Sequence, residues 1–167
     1  MPKGEGKHLI DVLYEVVEEN NVTVIFLWFH WTHDRPTSLK PEYEPLAIVV
    51  CRGYPRRLFS RPHYMHKITR PILQGRRPVI YISEIGHAPK TSPNEVLRAS
   101  YSTKYERLPD ETLIPKLKPG DIPPNFRKLA GIDFREWVLS WLGPETAKSI
   151  CNNGRLVPVL RHFWHLL

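Results

Sequence analysis

Three near-continuous apolar runs constrain this chain more than anything else in it. Val22–Phe29 is interrupted only by Thr23, and Leu46–Cys51 and Pro78–Ser83 follow it. All three are rich in Val, Ile and aromatic residues, the types that suit a pleated surface. A strand with one wet face alternates apolar and polar residues. These runs do not, which implies strands covered on both faces. The layers that cover them must come from elsewhere in the chain.

The spacing around these runs predicts helices. Over 8–19, Leu9, Val12, Leu13 and Val16 share one helical face, with Asp11, Glu15 and Glu18 on another. Asn20-Asn21 then turns the chain into the first strand. Between the second and third strands lie 26 residues, Arg52 to Arg77, enough for a parallel crossover. Pro55, Pro62 and Pro71 confine any helix there to His63–Arg70. Ser92-Pro93-Asn94-Glu95 reads as a capped helix start, followed by a Pro-rich connector over 108–124. Asp133-Phe134-Arg135-Glu136 is a second capping box, with Phe134, Trp137, Val138, Trp141 and Leu142 at core spacing. Gly143-Pro144 ends that helix and begins a short one, and a last helix carries Leu160, Phe163, Trp164 and Leu167 inward.

The fold class expected from this pattern is α+β or α/β: a small mixed sheet of at least three strands with an N-terminal helix and a C-terminal helical subdomain. Residues 1–107 form the core domain, 108–124 the connector, and 125–167 a helical subdomain packed on the core. With 167 residues, 41% hydrophobic and 25% charged, the chain has ordinary globular composition. Its apolar runs are too short to span a bilayer, so no membrane partner is expected. The N-terminus lacks a signal peptide's apolar core, which points to an intracellular, cytoplasmic protein, or to the host cytoplasm for a viral one. Seventeen Pro against a single Gln, two Met and two Cys is a thermophile's habit, archaeal or viral. Cys51 and Cys151 are too few and too far apart to indicate a disulfide framework or a thiolate zinc site.

Charge is where the chain departs from the ordinary. Between Pro45 and Ser83 there is no Asp or Glu, yet there are eight cations: Arg52, Arg56, Arg57, Arg61, Lys67, Arg70, Arg76 and Arg77. Elsewhere 16 Lys and Arg meet 17 Asp and Glu, so the net charge of +7 belongs to this one segment. Seven of the eight are Arg, whose planar fork matches phosphate and stacks on bases. Tyr54, Phe59, His63, Tyr64 and His66 are interleaved with them as stacking groups. The expected function is nucleic-acid binding, DNA or RNA, through residues 52–77, with Tyr64 among the contacts.

A second constellation follows the strands. His30, His33 and Asp34 leave the first strand, and Glu84, His87 and Lys90 follow the third. With those two strands parallel, the groups would meet at one sheet edge, where open α/β folds bind ligands. Asp34, Glu84 and His87 would hold Mg²⁺ or Mn²⁺, while Glu84, Asp34, Lys90 and His33 would act on a phosphodiester. That describes a metal-dependent nuclease, a hydrolase. The alternative is a non-catalytic subunit of a nucleoprotein assembly or a protein-interaction module, with a homodimer or other protein partners. Three His-x-x-His pairs, His30/His33, His63/His66 and His162/His165, complete no four-ligand zinc set within a segment. There is no Walker loop, dinucleotide fingerprint or serine elbow, so the nucleotide-cofactor and acyl-transfer classes are not indicated.

Overall fold

The computed structural model describes residues 9–32, 41–61, 66–83, 89–90, 105–107, 117–120, 128–129 and 131–152. Strands dominate it. Five of them follow one another as an antiparallel meander: β1 (Leu9–Glu19), β2 (Val22–Trp31), β3 (Glu42–Cys51), β4 (Tyr54–Ser60) and β5 (Lys67–Thr69). Short pairs follow: β6 (Leu73–Gln74) with β7 (Arg77–Pro78), and β8 (Tyr81–Ser83) between β9 (Pro89–Lys90) and β10 (Tyr105–Arg107). Then β11 (Leu117–Pro119) joins the main sheet parallel to β1, giving the order β11-β1-β2-β3-β4-β5. A small hairpin of β12 (Lys128–Leu129) and β13 (Ile132–Asp133) leads into helix α1 (Phe134–Trp141). Helix α2 covers 144–152.

The α+β or α/β expectation is therefore corrected. Among the described residues the protein is mainly β, built on a six-stranded mixed sheet, with two short helices toward the C-terminus and a strand where the N-terminal helix was expected. Residues expected to be that helix form β1. Leu9, Val12, Leu13 and Val16 fit a helical period by coincidence, because β1 packs on both sides. Val12 and Tyr14 enter the core on one face, Leu13 and Val17 on the other, and a bulge between Leu9 and Asp11 resets the alternation. The deciding signal is the turn. Asn20 and Asn21 both take positive φ, 48° and 65°, as a two-residue type I′ hairpin requires, and the hairpin pairs Glu19 with Val22.

Both faces of the central strands are covered, as the apolar runs imply, yet no parallel crossover is involved. Val22, Val24, Phe26 and Trp28 of β2 join Ala47, Val49 and Cys51 of β3 and Phe59 of β4 on one face. Helices α1 and α2 lie against it through Phe134, Val138, Leu142, Ala147 and Ile150. Leu27, Phe29 and Trp31 join Leu46, Ile48 and Leu58 on the opposite face, where Ile80 and Ile82 cover them from the β8 side.

Asp133 is the N-cap of α1, its Oδ1 accepting from the Glu136 N–H at 3.0 Å. The buried stripe is Phe134, Val138 and Leu142, and Phe134 packs edge-on to Phe26 and Trp28. Burying such a ring contributes about 1.5–3 kcal/mol. Trp141, expected inside, falls to one side of that stripe and is 51% exposed.

The Cys51–Cys151 pair forms a disulfide, with Cα atoms 5.5 Å apart. A separation of 100 residues in sequence hides this proximity, which exists only because α2 crosses the end of β3.

Candidate nucleic-acid interface

The described part of the basic segment is sheet and hairpin. β4 and β5 come from it, and Lys67–Thr69, within the stretch to which the prolines confined any helix, is strand. Between β3 and β4 the turn is Arg52-Gly53, both at positive φ (52° and 79°). Such a turn prefers Asn or Gly, and here one of the two places holds an exposed Arg.

One residue into β4, the ladder is irregular. Val50 pairs Pro55 and Val49 pairs Arg57, leaving Arg56 as the extra residue of a bulge. The bulge sends two successive arginines toward one surface. Arg57 lies level with Val49 on the helix-bearing face, and its Nη1 donates to the Arg56 carbonyl at 2.8 Å. Continuing the β4–β5 register from Leu58↔Thr69 brings Arg70 level with Arg57. Burial lowers the Arg57 pKa, and the positive charges of Arg70 and Arg56 lower it further. Bulge and register thus make Arg56, Arg57 and Arg70 neighbours of like charge.

Tyr54 stands at the edge of this cluster, 41% exposed. The β6–β7 hairpin turns at Gly75-Arg76, Gly75 supplying φ +64°, and delivers Arg76 onto Tyr54. Its guanidinium carbon is 4.7 Å from the ring centroid, and Nη2 donates to the Tyr54 hydroxyl at 3.2 Å. The Arg56 guanidinium lies 5.7 Å from the same ring. Among the described residues, Arg52, Arg56, Arg57, Arg70 and Arg76 form no ion pair.

Arg61 is different. It is only 6% exposed, and its guanidinium lies 5.9 Å and 5.8 Å from the Trp28 and Phe134 ring centroids. Burial lowers its pKa, and the charges of Glu44 and Asp133 oppose that. It is a cation of the sheet–helix seam. Lys67 and Arg77 also have interactions within the fold. Of the stacking groups, Phe59 is core, and His66 packs against Trp137 with centroids 4.6 Å apart. Burial, then the charge of Arg61, lowers the His66 pKa.

The remaining expectations concern the second constellation. Its premise was parallel strands in one sheet, whereas β2 and β8 belong to different sheets whose described neighbours around them are antiparallel. His33, Asp34, Glu84, His87 and Tyr64 lie outside the described residues, as does His63. Lys90 ends β9. Among the described residues, no three His, Cys, Asp or Glu side chains gather to hold a metal.

Sequence reasoning missed a closed polar network at the other end of the sheet. His30 Nδ1 is 3.1 Å from Asp11 Oδ1, the His30 ring stacks on Tyr43 at 4.1 Å, and Lys118 Nζ lies 3.5 Å from Asp11 Oδ2. Burial and the Asp11 charge raise the Tyr43 pKa. These residues sit on β1, β2, β3 and β11, and no local pattern in sequence links them.

No protein-family model, curated protein or solved structure matches this chain. No helix among the described residues is long and apolar enough to cross a membrane.

Proposed function

We propose that this protein binds nucleic acid through the end of the sheet formed by the β3–β4 turn, the β4 bulge and the β6–β7 hairpin. The observation that carries the reading is that the β4 bulge and the β4–β5 register set Arg56, Arg57 and Arg70 side by side, three like charges with no ion pair among the described residues. Like charges held together cost free energy that a phosphate backbone relieves. Arg52 and Arg76 extend the surface, and neither is used in an ion pair among the described residues. Planar, five-donor guanidinium groups suit phosphate oxygens better than a general acidic partner needs. An intracellular place of action goes with this partner. The disulfide is compatible with it in a hyperthermophile, whose intracellular proteins are often disulfide-bonded.

The test is the triple variant Arg56→Ala, Arg57→Ala, Arg70→Ala against DNA and RNA over a salt series. Each lost phosphate contact should flatten the log K against log salt slope by about 0.7–0.9, so the slope should fall by about 2–3. Affinity at low salt should drop by about tenfold or more. Equal affinity and equal slope in the wild type and the triple variant would remove this surface from the reading.

A further inference from the structure

We infer that the nucleic acid taken by this surface is single-stranded, with an unpaired base stacked on the Tyr54–Arg76 pair. This rests on the binding reading above and narrows its substrate. Of the five stacking groups in the basic segment, Phe59 is buried, His66 is packed on Trp137, and His63 and Tyr64 lie outside the described residues. Tyr54 is the one described ring of the segment offered to solvent within the cation cluster.

Its setting is that of a platform. The Arg76 guanidinium lies over the ring while donating to the hydroxyl, so one contact fixes the ring's plane and the other limits its rotation. The hairpin that delivers Arg76 also exposes Ile72 and Leu73, at 46% and 40%. An exposed aromatic and two exposed aliphatic side chains amid arginines have little to gain from phosphate alone. A base face suits both the ring and the guanidinium plane, and stacking on an aromatic ring strengthens binding to any unpaired base.

A duplex cannot use such a platform. Its base faces are stacked on one another, leaving edges and phosphates, so Tyr54 would contribute almost nothing to duplex binding. Nor is a sheet face available as a wider stacking surface, since helices cover one face of the central strands and the β8 side covers the other. Stacking is therefore concentrated at the end of the sheet, beside the phosphate-binding arginines.

The experiment compares the wild type, Tyr54→Ala and Arg76→Ala on oligo(dT), oligo(U), an abasic strand of equal length, and a duplex of equal length, at one salt concentration. Wild type should prefer the base-bearing single strands to the duplex by about tenfold. Tyr54→Ala should lose about tenfold on oligo(dT) and oligo(U), with the salt slope unchanged, and lose almost nothing on the abasic strand or the duplex. Arg76→Ala should lose affinity on every strand, because it removes a cation as well as half of the platform. Melting temperatures equal to wild type would show that both variants are folded. Equal or tighter duplex binding, or equal loss for Tyr54→Ala on base-bearing and abasic strands, would overturn the single-strand inference and leave the binding surface standing. Absence of salt-dependent binding to every strand would overturn both.

Discussion

The two ends of the main sheet handle polar side chains in opposite ways. Where β2 ends and β3 begins, Asp11 is shared by His30 and Lys118, and His30 stacks on Tyr43. Arg61 lies between carboxylates and rings nearby, and midway along β1 Glu15 accepts two hydrogen bonds from Arg135 of α1. Each of these charges faces an opposite one. Roughly 26 Å of strand rise away, at the Cys51 end of β3, the pattern inverts. Arg52, Arg56, Arg57, Arg70 and Arg76 cluster with no ion pair among the described residues, and the end is fastened by other means: the Cys51–Cys151 disulfide and the Asn20 side chain donating to the Leu142 carbonyl at 2.6 Å. The comparison separates cations that are paired with carboxylates from cations that form no ion pair among the described residues. At this end the scaffold is held by bonds that use no cation.

The largest test of that division is covalent. Replacing Cys51 and Cys151 with Ala opens a cross-link spanning 100 residues, and loop entropy alone puts the loss at about 4–5 kcal/mol. Denaturant unfolding of the oxidised protein and the double variant measures it. A loss under about 1 kcal/mol would mean that the basic end is anchored by packing alone.

Next in size is Arg61→Met. The substitution keeps apolar volume over Trp28 and Phe134 but leaves Glu44 and Asp133 without their shared cation, costing about 3 kcal/mol. Affinity for nucleic acid per folded molecule should not change. If stability holds and binding falls, Arg61 belongs with the ligand-facing group and the comparison breaks.

Glu15→Gln should cost less, about 0.5–1 kcal/mol, because the Glu15–Arg135 pair is one-third exposed. The loss should shrink further in high salt, and thermal melts with and without salt would show it.

The smallest effect concerns pH. Burial holds the folded-state pKa of His66 below its ordinary 6.5, so the unfolded chain takes up that proton first. Stability is unaffected above 6.5 and declines as the pH falls below it. His66→Phe should remove this part of the acid sensitivity, read as a flatter dependence of Tm on pH. An identical slope in the variant would exclude His66 as its source.

Much of the scaffold was legible because strands and caps leave local marks. The runs at Val22–Phe29 and Leu46–Cys51 read as two-sided strands, and Asp133 followed by Glu136 reads as a helix start. β1 was not legible from its apolar spacing, since a strand half-buried on both faces mimics a helical period. Asn20-Asn21 between β-branched runs was the available signal, a hairpin turn rather than the end of a helix.

The candidate site divides in the same way. Composition located the positive charge and the absence of acids between Pro45 and Ser83, because a count needs no coordinates. It could not tell Arg61 from Arg57, two cations four residues apart in one strand region. Only pairing does that: Arg57 lies opposite Val49 beside the Arg56 bulge, while Arg61 lies beside the Trp28 and Phe134 rings. The contact of Arg76 with Tyr54, 22 residues apart, and the joining of Cys51 to Cys151 are equally invisible locally. Which residues a chain has fixes its charge and its strand-forming tendency. Which of them meet is decided by register, turn and bulge, since a one-residue change in pairing moves a side chain from the core to the solvent-facing surface.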